Sequence, residues 1–225
     1  MATPQLVKTD DGSDTLFVKE LGEHYHSTFG AVQESRHIFI EAGLKKCTKK
    51  ALNLFEVGFG TGLNCYLTLL ETANTNQIIK YIAVEKYPLP EDIWSKLNFP
   101  SIVSGGSTEL FRLIHDVKWN EEVIINDHFS LLKIASGLSE TDYQSLPLFD
   151  LIYFDAFSPG AQPELWETPV FRQLSDHCEP GGMVVTYCAK GVVRRSLIEV
   201  GFNAERIPGP PGKREMLRGT KGTIS

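Results

Sequence analysis

The sequence predicts an α/β fold: a mostly parallel sheet of seven strands that ends in an antiparallel strand, with a β-hairpin extension at the N-terminus. Three apolar runs support this prediction, because each is typical of a buried strand and ends at an acidic residue. They cover residues 52–56, 78–85 and 149–155. Segments with helical patterns separate the runs, as expected of strands that lie parallel in one sheet.

The chain has 225 residues, of which 42% are hydrophobic and 22% are charged, as is usual for a water-soluble protein. We expect a single compact unit, with residues 1–30 as the hairpin extension and residues 31–225 as the main domain. No apolar run approaches the roughly 20 residues that span a bilayer, and the N-terminus lacks a signal pattern. A cytoplasmic protein with no membrane partner is therefore expected.

The charge is unevenly distributed. The net charge is -6, but the eight basic and three acidic residues from Lys190 onward give that sector +5, which leaves -11 for the remainder. The overall charge argues against a protein that coats nucleic acid indiscriminately. The basic sector could bind a polyanion on one face, and a solvated charged surface is the alternative.

Cysteine and histidine spacing predicts no metal site. The four cysteines show no C-x-x-C pattern and are expected to be reduced and mostly buried. His24 and His26 would point the same way on a strand, but no third ligand lies near them in the sequence. A structural or substrate-contacting role is favoured for both histidines.

The N-terminal elements follow from turn chemistry and periodicity. Residues 6–9 and 15–18 flank an Asp-Asp-Gly-Ser-Asp segment, which predicts the β-hairpin. An apolar face over residues 31–44 predicts a helix. Further along, three prolines interrupt residues 88–100, where we expect one helix with a loop.

A glycine turn follows the first buried strand. Gly58, Gly60 and Gly62 alternate, and an apolar segment at 63–70 predicts a helix directly after them. Glycine lets backbone approach a ligand closely, and a helix N-terminus offers unpaired N–H groups. Leu63 and Asn64 replace the residues that a phosphate-binding loop or a dinucleotide fingerprint would require. The turn is therefore predicted to hold another small molecule.

With Glu56 in front of it, the turn resembles the first motif of the class I S-adenosylmethionine methyltransferases, which have a Rossmann-like fold. The cofactor's carboxylate suits a helix N-terminus, its cationic groups suit acids, and its ribose suits a further carboxylate. Glu85 follows the turn by about 20 residues, the usual spacing for a ribose contact. The alternative to a cofactor site is that the glycines only allow a tight turn between a strand and a helix.

The resemblance implies that the glycine turn holds the methionine end of the cofactor and Glu85 the ribose. A third strand at 123–128 would end beside Asp127, where such folds bind adenine, although an Asn-Asp helix cap has the same appearance. The predicted cofactor residues are Glu56, Gly58, Phe59, Gly60, Thr61, Gly62, Asn64, Glu85, Lys86 and Asp127.

The second informative stretch is the end of the apolar run at Asp155. Phe157 and Pro159 follow in the loop, and this end of a strand faces the ligand crevice in a doubly wound sheet. A carboxylate beside an aromatic ring suits methylation of an amine, since the carboxylate orients N–H donors and the ring stacks on a base. Pro159 and Gly160 delay the next helix to residues 163–175, which disfavours a simple helix cap.

The C-terminal part completes the predicted sheet. We expect a strand at 183–188, a helix at 191–200, and strands at 202–207 and 214–219 around a loop rich in proline and glycine. Two antiparallel strands at the end of a parallel sheet match the seven-stranded class I methyltransferase pattern.

Together these stretches are similar to the methyltransferase component of the MnmC/MnmD family. The matching segments are residues 22–27, 34–35, 57–64, 155–159 and 213–216. That family methylates the amine of 5-aminomethyl-2-thiouridine at the tRNA wobble position, giving 5-methylaminomethyl-2-thiouridine. Its two-domain members first use a flavin-dependent oxidase, and the chain ends before such a domain could begin. We therefore expect the stand-alone form, whose aminomethyl substrate another enzyme supplies.

The resemblance implies a site for an RNA substrate. Asp155 would orient the amine and accept its proton, and the anticodon loop of tRNA would be the partner. The predicted substrate residues are Tyr25, His26, Ser27, Phe157 and Pro159 for the nucleoside, with Arg194, Arg195, Lys213 and Arg214 for phosphates. A small-molecule or protein N-methyltransferase, and a non-catalytic cofactor-binding or RNA-binding module, remain the alternatives.

Overall fold

The computed structural model describes residues 3–222. The strands are β1 (Gln5–Lys8), β2 (Asp14–Val18), β3 (Glu23–His24), β4 (Ala51–Val57), β5 (Ile78–Glu85), β6 (Glu122–Asn126), β7 (Phe129–Ala135), β8 (Phe149–Phe154), β9 (Cys178–Thr186), β10 (Phe202–Pro208) and β11 (Glu215–Lys221). The helices are α1 (Ala31–Ser35), α2 (Leu63–Thr72), α3 (Glu91–Trp94), α4 (Phe99–Ile102), α5 (Thr108–Asp116), α6 (Thr168–Asp176) and α7 (Gly191–Glu199). A π-helical segment, Arg36–Glu41, continues α1.

The main sheet has the order β10-β11-β9-β8-β4-β5-β7-β6. Its centre is parallel: β4 pairs with β5 and β8, β5 with β7, and β8 with β9. β11 lies antiparallel between β9 and β10. The carboxyl ends of the parallel strands therefore meet at one edge, which is where ligands bind in open α/β sheets.

Helices cover both faces of the sheet because its central strands are apolar on both sides. Leu54 and Tyr153 face a core that includes residues of α2 and α5, whereas the adjacent Phe55 and Phe154 face the core built with α6 and α7. All four side chains are fully buried. This three-layer arrangement confirms the predicted Rossmann-like architecture.

The sheet has eight strands rather than the seven that were predicted, and the difference lies at one edge. β7 was not predicted, and the run near residue 123 was expected to lie in the parallel sheet. That run is β6, an edge strand antiparallel to β7. Asp127 lies in the exposed turn between the two strands, at the amino end of β7. The prediction that Asp127 ends a parallel strand at the ligand edge was therefore wrong.

The N-terminal hairpin is confirmed, and a short third strand extends it. β2 pairs antiparallel with β1 and with β3. Asn98 fastens this small sheet to the main domain, because its backbone N–H donates to Asp14 at 2.9 Å and its side chain accepts from the Asp14 N–H at 2.9 Å. Within residues 3–222, no helix has the length and apolar character needed to cross a membrane.

Candidate active site

A cavity of about 1010 Å³ opens at the carboxyl edge of the sheet. It is lined by residues 21–29 of the N-terminal segment, the glycine turn after β4, the ends of β5 and β7, and the loop after β8. Ligand cavities commonly reach ~1,000 Å³, so this one has room for a nucleoside cofactor and a nucleoside substrate. The separate motifs of the sequence thus meet in a single site.

The glycine turn requires glycine at its alternate positions. Gly58, Gly60 and Gly62 have φ angles of +89°, +48° and +73°, which side-chain-bearing residues rarely adopt. A Cβ on Gly60 would lie 3.0 Å from the ring of Tyr25, and one on Gly62 would lie 2.8 Å from Nε2 of His115. The turn therefore presents bare backbone at the start of α2, the arrangement that accepts a carboxylate.

Two histidines hold Thr61 in the turn. His26 Nε2 lies 2.6 Å from the Thr61 hydroxyl, and His115 Nε2 lies 3.2 Å from the Thr61 carbonyl oxygen, to which it donates. Burial lowers the pKa of His26 to about 4 and that of His115 to about 3. Both rings are therefore neutral near pH 7, and His115 stacks on Trp94 with 4.3 Å between ring centroids.

Glu85 closes the turn from the neighbouring strand. Its carboxylate accepts from the Gly60 N–H at 3.0 Å and from the Tyr87 N–H at 2.8 Å. Burial raises its pKa, while these N–H donors counteract that effect. Glu85 and Lys86 both line the cavity beside the turn, on the side where the ribose contact was predicted.

Asp155 lies at the end of β8, where its backbone N–H donates to the Val57 carbonyl of β4 at 3.1 Å. Asn64 in the first turn of α2 donates its side-chain N–H to the Asp155 carboxyl group at 2.7 Å. Burial raises the pKa of Asp155 to about 7, against the lowering effect of the Asn64 hydrogen bond. A carboxyl group that titrates near neutral pH can accept a proton during a reaction and release it afterwards.

Hydrogen bonds fix the backbone of the loop after Asp155. The Tyr187 hydroxyl donates to the Ala156 carbonyl at 2.9 Å, and the Trp166 indole donates to the Phe157 carbonyl at 2.7 Å. The Ser158 N–H donates to Glu23 at 3.1 Å. The loop is thus held from the C-terminal half and from the N-terminal segment at once.

Aromatic side chains form the cavity wall beside the glycine turn. Tyr25 and Phe157 meet edge to face, with 5.0 Å between their ring centroids. Both line the cavity, as do His26 and Ser27. These rings offer a stacking surface for a nucleobase.

A buried ion pair completes this side of the cavity. Lys213 Nζ lies 2.6 Å from Glu34 Oε1 and 4.1 Å from the centroid of the Tyr187 ring. Glu34 also accepts from the Ser27 N–H at 2.8 Å. Lys213 was predicted to contact phosphate, whereas it lines the cavity and its ammonium is already paired.

The geometry fits the predicted cofactor. The start of α2 borders the cavity, where a helix N-terminus suits a carboxylate, and the acidic side chains Glu85 and Asp155 suit a ribose and a cationic sulfur. The family model described as S-adenosyl-L-methionine-dependent methyltransferase matches residues 114–222.

Similar proteins agree with this match. The bifunctional protein MnmC, for tRNA 5-methylaminomethyl-2-thiouridine biosynthesis, is 29% identical in Chromohalobacter salexigens over 97% of this chain and 33% of the relative. In Ralstonia nicotianae it is 31% identical over 96% of this chain and 34% of the relative. The crystal structure of MnmC2 from Aquifex aeolicus superposes with a TM-score of 0.77 and 26% identity, covering 100% of this chain and 74% of that one.

The chain is an S-adenosyl-L-methionine-dependent methyltransferase related to the methyltransferase part of MnmC. It spans about a third of the length of the curated relatives that it matches.

Several predicted residues lie outside the methyltransferase cavity. Glu56 is fully buried beneath the turn, near Asn64 and Tyr81, and burial raises the pKa of its carboxyl group well above the usual range. Arg194 donates its Nε–H to the Ala204 carbonyl at 3.0 Å, which makes it a support for β10. The other predicted residues that do not line the cavity are Gly62, Pro159, Arg195, Arg214 and Asp127.

Four contributors to the site were not among the predicted site residues. Glu34 lay in a segment that matches the family but was given no role, whereas His115 and Tyr187 act through long-range contacts that no local pattern marked. Ser136 follows β7 and lines the cavity beside Glu85. The mostly apolar run 129–135, interrupted only by Ser130 and Lys133, was the signal that could have revealed β7 and, with it, the position of Ser136.

No cluster of three or more His, Cys, Asp or Glu residues that could hold a metal ion occurs within residues 3–222 of the methyltransferase.

Proposed function

We propose that the methyltransferase methylates the exocyclic amine of 5-aminomethyl-2-thiouridine at the wobble position of tRNA, giving 5-methylaminomethyl-2-thiouridine. The observation that carries the proposal is the contact between Asn64 and Asp155 at 2.7 Å, which couples the cofactor turn to a carboxyl group in the same cavity. The biosynthetic role named for the MnmC relatives supports the choice of substrate.

For the cofactor, we propose contacts along the carboxyl edge of the sheet. Gly58, Phe59, Gly60 and the start of α2 would hold the methionine end, and Glu85 the ribose. β7 occupies the place in the sheet next to β5, so Ser136 and the residues after it take the adenine role that was predicted for Asp127.

The residues of the cavity provide positioning and proton transfer. When bound, S-adenosylmethionine supplies a methyl group on a cationic sulfur, and the amine nitrogen bonds to that methyl while the sulfur keeps the electron pair of the broken bond. Asp155 accepts a hydrogen bond from an N–H group of the amine and then takes the proton of that group. Asn64 holds the Asp155 carboxyl group in place. Tyr25 and Phe157 stack on the base, which brings the amine within reach and reduces the entropic cost of transfer.

RNA binding is proposed to occur beside the cavity mouth. Lys190, Arg195 and Arg214 have no ion-pair partner among the residues that the structure describes. Lys190 and Arg214 lie close in the sequence to the cavity residues Tyr187 and Lys213, and Arg195 lies on α7. We propose that this sector contacts the phosphates of the anticodon loop in the cytoplasm, after another enzyme has supplied the aminomethyl group.

The test uses purified protein, S-adenosylmethionine and an anticodon stem-loop RNA that carries 5-aminomethyl-2-thiouridine. Mass spectrometry of the digested RNA should show one added methyl group on that nucleoside. The same RNA with 5-hydroxymethyl-2-thiouridine is the matched control, because it lacks the amine. Methylation of the hydroxymethyl RNA at an equal rate, or of neither RNA, would contradict the proposal.

A further inference from the structure

Lys213 is a cation inside the substrate side of the cavity, and methyl transfer as described above gives it no role. It projects from the loop between β10 and β11, and its Nζ pairs with Glu34 Oε1 at 2.6 Å. The Glu34 side chain is only 9% exposed. Both charges act on Asp155, since Glu34 raises its pKa and Lys213 lowers it. The two side chains are therefore close enough to influence a reacting group.

The amine substrate creates an electrostatic problem in this cavity. An alkyl amine is mostly an ammonium ion at neutral pH, and an ammonium ion has no electron pair with which to attack a methyl group. A carboxylate nearby stabilises the charged form and raises the pKa of the amine. Asp155 and Glu34 together would bind the ammonium ion strongly and leave little of the reactive form.

We propose that Lys213, held by Glu34, keeps the substrate amine in its neutral, nucleophilic form by cancelling the charge of Glu34. Asp155 is then the carboxylate that faces the amine. An N–H bond of the ammonium ion breaks, an O–H bond forms on Asp155, and the electron pair stays on nitrogen. This inference rests on the proposed function.

The surroundings of the ion pair favour this role. His26 is hydrogen-bonded to Thr61 and neutral, Glu23 is bonded to the Ser158 backbone, and Tyr187 presents its ring to Lys213. Asn64 adds a neutral donor to Asp155. Glu23, Glu34 and Asp155 place carboxyl groups on this side of the cavity, with Glu85 and Lys86 beside the glycine turn, and Lys213 is the cation that pairs with one of those acids.

The loop that carries Lys213 is anchored against the N-terminal segment. A Cβ on Gly212 would overlap the ring of Phe29, so the loop packs directly on that ring. His37 Nε2 lies 2.9 Å from the Pro208 carbonyl oxygen, to which it donates. Lys213 is thus positioned before substrate binds.

The experiment compares pH profiles of kcat/KM for the aminomethyl RNA. In Lys213→Met, the acid limb should move to higher pH by about one unit, which is a tenfold loss of activity at low pH, with recovery at high pH. Glu34→Gln should move the acid limb to lower pH, because a cation is left without its partner. The double variant should return close to the wild-type profile. The substrate amine and Asp155 titrate as a coupled pair, so the position of the acid limb reflects the protonation of both groups.

The controls separate this inference from the proposed function. Lys45→Met removes a lysine that pairs with Glu41 at 2.7 Å outside the cavity, and its profile should match that of the wild type. An unmoved acid limb in both Lys213→Met and Glu34→Gln, with wild-type turnover intact, would overturn the role of Lys213 alone. Absence of wild-type turnover would instead remove the proposed function and this inference with it. Should Lys213→Met fail to fold, Glu34→Gln and the double variant still decide the matter.

Discussion

At the scale of single residues, the proposal depends most on Asp155 as the proton acceptor. Its carboxyl group is buried, accepts a hydrogen bond from Asn64 and lies beside the glycine turn. We expect Asp155→Asn to lower kcat by roughly 10²- to 10⁴-fold, the usual range for loss of a general base. Calorimetry should find the affinity for S-adenosylhomocysteine within about twofold of the wild type, because the turn does not change. Near-normal kcat in a folded variant would remove Asp155 from the mechanism.

His26 gives a prediction on stability. Its pKa falls from 6.5 to about 4 on folding because it is buried, so the unfolded chain binds a proton in this range and the folded protein does not. Its contribution to stability is complete above pH 6.5 and is lost as pH falls toward about 4. From about pH 7 to about pH 5 this loss is about 2 kcal/mol.

His26→Gln should therefore lose less stability than the wild type over the same pH range. Urea unfolding at each pH measures the difference. His128→Gln, which changes an exposed histidine between β6 and β7, should keep the wild-type dependence. Parallel curves for the wild type and His26→Gln would show that His26 does not titrate as described.

Single residues were predicted best where the chemistry is local. Gly58, Gly60 and Asp155 were marked by their own motifs, and each lies where the motif placed it. Glu56 shares the motif but points under the turn, because the residue before a turn can face either side of its strand. The pairing of Lys213 with Glu34 could not be predicted, since it joins positions 179 residues apart.

At the scale of elements, the glycine turn tolerates little change, because its three glycines have positive φ angles and close neighbours. Gly60→Ala places a methyl group 3.0 Å from the Tyr25 ring and forces alanine into a left-handed conformation at φ +48°. The backbone conformation alone costs ~1 kcal/mol. We expect the affinity for S-adenosylhomocysteine to fall by at least about tenfold, a change of ~1.4 kcal/mol in binding free energy.

A matched variant separates backbone strain from ligand contact in the turn. Gly105 has φ +74° and no atom within 4 Å of a Cβ built on it. Gly105→Ala should therefore show a similar decrease in thermal stability from the backbone, with cofactor affinity unchanged. Equal cofactor affinity in Gly60→Ala and the wild type would contradict the assignment of the turn.

Elements were predictable where an apolar run and a turn signal coincided. β4, β5 and β8 met that condition, and their pairing is parallel as expected. β7 was not predicted because Lys133, a charged residue, interrupts its apolar sequence. The lysine is buried because its Nζ donates to the His115 carbonyl at 2.5 Å and lies over the Trp119 ring at 4.7 Å. These partners of Lys133 lie elsewhere in the chain, so the local sequence does not show that the lysine is buried.

At the scale of the whole molecule, the proposed RNA contact depends on which cations of the basic sector are unpaired. Much of the basic sector is internally engaged: Arg218 pairs with Glu205 at 2.8 Å, and Arg206 with Glu215 at 3.2 Å. Among the described residues of this sector, Lys190, Arg195 and Arg214 form no ion pair, and the two arginines are the ones tested below. The net excess of positive charge was visible from the amino-acid composition of the sector, but the structure was needed to distinguish paired from available cations.

Reversal of these two charges should weaken RNA binding in a salt-dependent manner. For Arg195→Glu combined with Arg214→Glu, the slope of log affinity against log salt should fall by about 0.7 for each phosphate that the variant no longer neutralises. Fluorescence anisotropy with the anticodon stem-loop measures this slope. Arg112→Glu is the control, since Arg112 lies on α5, outside the basic sector, and pairs with Glu91 of α3 at 2.9 Å. An equal effect of the control would mean that general charge, not this sector, governs binding.

The fold as a whole followed from the alternation of strands and helices, while the site required the assembly of distant segments. The N-terminal segment, the glycine turn, the loop after β8 and the loop between β10 and β11 meet at one cavity. Each segment could be identified in the sequence. Only the packing of the segments shows that Asp155 and the glycine turn line the same cavity.

The most direct measurement is a crystal structure of the protein with S-adenosylhomocysteine and the methylated anticodon stem-loop. We expect the cofactor's carboxylate at the start of α2, its ribose beside Glu85, and the methylated nitrogen between the cofactor sulfur and Asp155. A cofactor bound away from the glycine turn, or a methylated nitrogen outside hydrogen-bond reach of Asp155, would contradict the proposed site.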